Sequence, residues 1–163
     1  MHQEMPRLSR RRNAATARPA LRVRSALPGD LAQVIAIDTR ATGLPKPEYW
    51  AGILRRYGRG GARRRFLVGE AGARIVGYIV GEVRDWEFGS PPCGWVFGIG
   101  VLPDEREAGV ATTLLEAMTA DFRRQGVTTM RTLIARDNRL VLSFFRSQGM
   151  MAAPVIPLEK DVG

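Results

Sequence analysis

The sequence predicts a single domain of mixed α/β class. Three observations carry this. The length, 163 residues, suits one hydrophobic core. Short alternating apolar runs, which read as strands, are interleaved with longer runs of one-turn periodicity, which read as helices. The stretch Trp95 to Arg124 joins one strand to one amphipathic helix through a glycine-containing turn, Ala108-Gly109-Val110-Ala111.

In chain order, residues 1–20 lack apolar periodicity and read as a disordered basic leader, with residues 21–163 as the domain. Leu21 to Arg24 alternates as a first strand. Pro28-Gly29-Asp30 interrupts it, and Asp30 is expected to cap a helix carrying Leu31, Val34, Ile35 and Ile37. Residues 41–47 form a loop, and Glu48 to Tyr57 a second helix with Trp50, Ile53 and Leu54 on one side. Gly58 to Arg65 is a glycine-rich basic loop. Phe66–Gly69 and Arg74–Val83 form a hairpin about Glu70-Ala71-Gly72-Ala73. On the second of these strands, Val76, Tyr78, Val80 and Glu82 share one face. A polar-aromatic connection, Arg84 to Pro92, leads to the strand Trp95–Val101, whose Gly98 and Gly100 mark a bulge or a close approach. Gly109 to Arg124 is a helix with Leu114, Leu115, Met118 and Phe122 on its apolar face, stopped at Gln125-Gly126. Val127–Ala135 reads as a strand, Arg139–Gln148 as a helix capped by Asp137 or Asn138 and stopped by Gly149, and Met151–Leu158 as closing strand material.

Composition narrows the chemistry. Cys93 is the only cysteine, which excludes an intrachain disulfide. His2 is the only histidine, so a histidine metal site, a Ser-His-Asp triad and a Cys-His pair are excluded. No apolar run reaches the ~18 residues of a membrane span. The net charge of +9 is concentrated at the start: residues 1–24 hold seven Arg and one Glu. Arginine outnumbers lysine 23 to 2, the bias of a GC-rich, bacterial genome. A P-loop is absent, since no Gly-x-x-x-x-Gly-Lys-Ser/Thr occurs.

The turn from Arg106 to Ala111 is Arg-x-x-Gly-x-Ala, preceded by Val101-Leu102-Pro103. A strand before it and a helix after it make an anion site. The first N–H groups of a helix lack intrahelical partners, and the helix dipole favours negative charge there. This arrangement resembles the acetyl-coenzyme A signature of the GNAT N-acetyltransferases. A second stretch, Asn138 to Met150, is similar to the family's Asn-x-x-Ala-x-x-x-Tyr-x-x-x-Gly-Phe. Asn138 and Gly149 align, whereas Val141, Phe145 and Met150 replace the small residue, the Tyr and the final aromatic.

The resemblance covers roughly residues 21–158. It implies a mostly antiparallel sheet flanked by helices, with a cofactor cleft between splayed fourth and fifth strands. It assigns acetyl-CoA as cosubstrate, with no metal. Arg106, Glu107, Ala108, Gly109, Val110, Ala111 and Thr112 surround the pyrophosphate, and Ile99, Gly100 and Val101 pair with the pantetheine arm. Asn138 and Phe145 face the cofactor. Asp38, Tyr49 and Trp86 are expected in the acceptor pocket, with Trp50 in the core. Phe145 removes the Tyr that protonates the leaving thiolate in many members, so Tyr78 or water is left for that role. Trp95 to Val101 holds no acid, and Glu82 is the expected base, ahead of Asp85 and Glu87.

The function implied is direct transfer of an acetyl group to a primary amine of a small molecule or protein, in the cytoplasm, with no membrane partner. Two alternatives stand beside it: a catalytically silent acyl-CoA-binding module, suggested by Phe145, and an RNA- or ribosome-associated protein using the basic leader. Nucleic acid is the disfavoured partner. The sequence leaves the oligomeric state open, a dimer included.

Overall fold

The computed structural model describes residues 18–59, 61 and 63–163. The expected leader lies outside these residues up to position 17. Five strands form one sheet in the order β1-β2-β3-β4-β5: β1 (Leu21–Ser25), β2 (Arg64–Ala71), β3 (Arg74–Arg84), β4 (Cys93–Val101) and β5 (Met130–Arg131). The first four run antiparallel, and β5 runs parallel to β4. Helices α1 (Leu31–Thr42) and α2 (Pro47–Tyr57) lie between β1 and β2, α3 (Val110–Arg124) follows β4, and α4 (Arg139–Ser147) follows β5. No described helix is long and apolar enough to cross a membrane.

The core forms on both faces of β3. Val76, Tyr78 and Val80 are buried on one face, with Trp50 and Phe66 stacked edge-on or tilted around Tyr78. On the other face, α3 lays Val110, Leu114, Met118 and Phe122 against Gly77 and Gly81 of β3 and Gly94 of β4. The one-turn spacing of these residues places them in a single stripe. A methyl group on Gly77 would stand 2.9 Å from Val110 Cγ1, and one on Gly81 would stand 3.1 Å from the Phe122 ring. The glycines therefore set how closely the helix approaches the sheet.

Three expectations are corrected. Asp30 occupies the N-cap position of α1 but its side chain makes no cap hydrogen bond: it ends a 3₁₀ turn (Pro28–Asp30), and its carboxylate instead accepts from Leu27 N–H and from both terminal nitrogens of Arg24. An adjacent guanidinium and a backbone N–H hold the carboxylate more firmly than a helix end does. Of the strand expected over Val127–Ala135, only Met130–Arg131 pairs. The segment Met151–Leu158 forms no strand. Pro154 and Pro157 lack the N–H that a ladder needs, and β5 is too short to template another strand.

Candidate active site

β4 contains the feature that opens a cleft. Its register with β3 slips between Val80 and Gly81, so that Val80 faces Gly98 while Gly81 faces Val96. Phe97 is the extra residue, and an extra residue bends a strand and increases its twist. β4 pairs with β5 only through Gly94–Met130 and Trp95–Arg131. Beyond Trp95 the two strands separate, and the edge of β4 that turns away from β3 carries no neighbouring strand.

A cleft of about 440 Å³ fills that gap. Its walls come from distant parts of the chain: Asp38 of α1, Lys46, Tyr49 and Trp50 at the start of α2, Tyr78 of β3, Gly98 and Ile99 of β4, and Asn138, Val141 and Phe145 of α4. Six of the residues given a site role from sequence therefore meet in one place: Asp38, Tyr49, Tyr78, Ile99, Asn138 and Phe145.

Asp38 is the cleft's only carboxylate among the described residues and is 6% exposed. Trp50 Nε1–H donates to its Oδ2 at 2.9 Å, and the Lys46 ammonium lies 2.9 Å from the same oxygen. A carboxylate taken out of water needs such partners to offset its lost hydration. Beside it is the phenol of Tyr78. Burial, and then the Asp38 charge, push this phenol well above its ordinary value of 10, so it stays protonated at neutral pH. Gly100 makes room for the ring: a Cβ there would lie 2.6 Å from Tyr78 Cε1 and 3.0 Å from its hydroxyl. Gly100 is thus a point of close approach, and the bulge falls at Phe97.

On α4, Asn138 caps its own helix, its Oδ1 accepting from Val141 N–H at 3.2 Å. Phe145 is 2% exposed and meets Phe144 edge-on at 5.1 Å. It presents a ring with no proton to give.

The turn that follows β4 has the expected local form. Pro103–Ala108 is a 3₁₀ stretch, and Gly109 adopts the left-handed conformation (φ 73°, ψ 12°) at the head of α3. That conformation favours glycine. No side chain caps the helix, and its backbone ladder begins with Thr113 N–H to the Gly109 carbonyl at 3.0 Å. The N–H groups of Val110, Ala111 and Thr112 precede that bond and have no i−4 partner. Arg106, Glu107, Ala108 and Gly109 are exposed, and a Cβ at Gly109 would meet nothing within 4 Å. Thr112 Oγ1 accepts from Gln148 Nε2 at 3.3 Å, which ties the head of α3 to the end of α4.

Glu82 and Trp86 lie away from the cleft. Glu82 stands opposite Trp95, three residues along β3 from the Ile79–Ile99 pair, or roughly 10 Å. Tyr57 O–H donates to Glu82 at 2.7 Å and Arg84 Nε at 2.9 Å. Burial pushes this carboxyl up, but the two hydrogen bonds and the charges of Arg84 and Arg64 outweigh it and hold the group below its ordinary value. Tyr57 is in turn pushed up to about 12, by burial and then by Glu82. Trp86 is 65% exposed at the β3–β4 connection, in a left-handed conformation (φ 48°). Cys93 is buried and its thiol is pushed up, chiefly by burial, which disfavours the thiolate a nucleophile needs. Among the described residues, no group of three or more His, Cys, Asp or Glu side chains could hold a metal ion.

Lys46 is the charged cleft residue that sequence reasoning missed, along with the uncharged Thr132 and Leu133. The available signal was compositional: it is one of only two lysines beside 23 arginines. Glu82's engagement also had a signal, because Arg84, two residues on, shares its face of the strand.

The sequence model of the acetyltransferase (GNAT) family matches residues 31–150. L-2,4-diaminobutyric acid acetyltransferase of Nocardia farcinica (strain IFM 10152) is 32% identical over 79 residues, 48% of this chain. The match spans 39% of the length of that relative. Among solved structures, the aminoglycoside N-acetyltransferase AAC(6')-Iy in complex with CoA superposes with a TM-score of 0.76 at 16% identity, covering 89% of this chain and 97% of that one. Aminoglycoside 6'-N-acetyltransferase AAC(6')-Ih from Acinetobacter baumannii gives 0.73 at 18% identity, with 88% and 100% coverage. Ard1 from Thermoplasma volcanium gives 0.68 at 22%, with 82% and 85% coverage. At these identities the structural likenesses concern the fold.

Proposed function

This chain belongs to the acetyltransferase (GNAT) family, and on that premise we propose that it transfers the acetyl group of acetyl-CoA to a primary amine in the cleft where β4 leaves β5. The observation that carries the proposal is the meeting of a buried carboxylate, Asp38, with an unpaired stretch of β4 backbone in one cavity. A relative named as a diaminobutyric acid acetyltransferase, and a structural neighbour in complex with CoA, support the reaction class and the cosubstrate.

In this reading the pyrophosphate of acetyl-CoA sits at the head of α3, against the N–H groups of Gly109 to Thr112, with Arg106 beside it. The backbone of Ile99 and Val101 takes the pantetheine arm as a neighbouring strand would, and an N–H of β4 polarises the thioester carbonyl. Asn138 has its Nδ2 left for the same arm, since its Oδ1 caps α4.

Asp38 receives the acceptor as an ammonium. An amine of pKa about 10 must lose a proton before it can attack. Asp38 removes it, directly or through one water, and the neutral amine then adds to the carbonyl; as the C–S bond breaks the nitrogen gives its second proton to water, and solvent protonates the released thiolate to the free thiol. We assign this role to Asp38 rather than to Glu82, because Asp38 lines the cleft and Glu82 lies outside it. Burial holds the Tyr78 phenol above its ordinary value, so its O–H is present as a donor when the thiolate departs. Tyr78 therefore stabilises the thiolate by a hydrogen bond, which the ring of Phe145 has no donor to supply. Asp38 and Tyr78 in the cleft favour an enzyme over a silent acyl-CoA-binding module.

Release of free thiol from acetyl-CoA in the presence of amines tests this. Asp38→Asn is expected to lower kcat/KM by about 10²–10³, the size of a positioned base, with acetyl-CoA affinity unchanged. An Asp38→Asn enzyme within about twofold of wild type would remove Asp38 from the proton transfer.

A further inference from the structure

The cleft's charge points to the acceptor. Among the described residues that line it, Asp38 is the only acid and Lys46 the only fixed cation. The two are in contact, Lys46 Nζ lying 2.9 Å from Asp38 Oδ2. Each is also held in place. Trp50 Nε1 fixes the carboxylate from α2. Pro47 restricts the backbone of Lys46, which takes a non-helical conformation (φ −130°, ψ 61°) at the head of that helix. The Lys46 side chain is one-third exposed, so its ammonium reaches inward from the rim.

An amine acceptor that approaches Asp38 must come close to the Lys46 ammonium. A bare ammonium would be repelled there, and a polycation more so. An acceptor carrying its own carboxylate reverses the sign: the carboxylate takes Lys46, the ammonium takes Asp38, and four charges alternate. We infer that Lys46 selects for acceptors with a free carboxylate a few bonds from an amine, namely amino acids or short diamino acids. Because the two protein charges touch, the acceptor's two charges must also be close together. The α-amine of a protein N-terminus and the side-chain amine of a lysine within a protein both lack that carboxylate, since it is tied up as an amide. Polycationic amino sugars lack it altogether. This inference rests on the acetyl transfer proposed above and concerns only what that site accepts.

The test compares matched pairs that differ by one carboxylate: 2,4-diaminobutyrate with 1,3-diaminopropane, ornithine with putrescine, lysine with cadaverine, phenylalanine with phenethylamine. For the pair used best, wild type is expected to prefer the carboxylated member by at least about tenfold in kcat/KM, the effect of one charge-assisted hydrogen bond. The ratio should fall towards one in Lys46→Gln, reverse in Lys46→Glu, and persist in Lys46→Arg. Acetyl-CoA affinity, measured by calorimetry, reports the fold of each variant. A wild-type ratio near one, or a preference that survives in Lys46→Gln, overturns the inference. So does acetyl-CoA binding without turnover of any member of the pairs. Failure of wild type to bind acetyl-CoA overturns instead the reading on which it rests.

Discussion

Tyr78 reaches the cleft because residue 100 has no side chain, and this dependence can be measured. Gly100→Ala would force the ring aside, since a Cβ there lies 2.6 Å from Tyr78 Cε1. Tyr78→Phe removes the hydroxyl and keeps the ring. Both are expected to lower kcat by about tenfold, the worth of one hydrogen bond to a developing thiolate, and Tyr78→Phe to do so with little change in acetyl-CoA affinity. Steady-state kinetics of the two variants check this, and full activity in Gly100→Ala would mean that the phenol's position does not matter. Legibility at this scale was uneven. Tyr78 and Asp38 could be named from sequence because strand alternation and the family layout put them near the acceptor. Lys46 could not, because its contact with Asp38 depends on how α1 and α2 cross. Glu82 was favoured because it is on a strand, yet its partners Tyr57 and Arg64 come from other elements.

The elements were easier to read where periodicity is set locally. The apolar stripe of α3 and the left-handed Gly109 before it follow from spacing and from the freedom of glycine. The use of the strand glycines was less legible, because it depends on what packs above them. Gly94 carries the α3 residue Phe122, and a methyl group there would overlap that ring. Gly94→Ala is expected to cost about 1–3 kcal/mol by overpacking, and Phe122→Leu in the same chain to recover part of it, against the loss that each change causes alone. Denaturant unfolding of the two single variants and the double variant tests the coupling, and strictly additive losses would contradict it. β5 was overread, since apolar alternation from Val127 to Ala135 does not reveal that β4 bends away at Phe97 and leaves only two residues to pair.

At the scale of the whole molecule, an ion cluster ties β1 to β2 and to the turn that leads into α1. Arg24 of β1 binds both oxygens of Asp30 and also Glu70 of β2. The guanidinium, with Leu27 N–H, holds the Asp30 carboxyl below its ordinary 3.8 despite its burial. A lowered folded value means that this contribution is present above the unfolded pKa and is lost as pH falls through the folded one. Arg24→Met is therefore expected to be less stable at neutral pH by about 1–3 kcal/mol, and to lose less stability than wild type as pH drops below about 4. Thermal unfolding across that range tests it, and parallel pH profiles would contradict it. The domain's layered order was legible in the sequence because a strand–turn–helix with a cofactor signature anchors it. The cleft itself was not, since its walls are brought together from residues 38 to 145. The most direct test of acetyl-CoA use is calorimetric titration with acetyl-CoA of the wild type and of Gly109→Trp. Residue 109 is exposed with open space before it, so the indole would obstruct the head of α3 away from the core, and thermal unfolding of the variant reads the separate strain of a side chain at its left-handed φ of 73°. Binding to the wild type and none to the variant is the predicted result. A folded wild type that does not bind, or a variant that binds equally well, would contradict it.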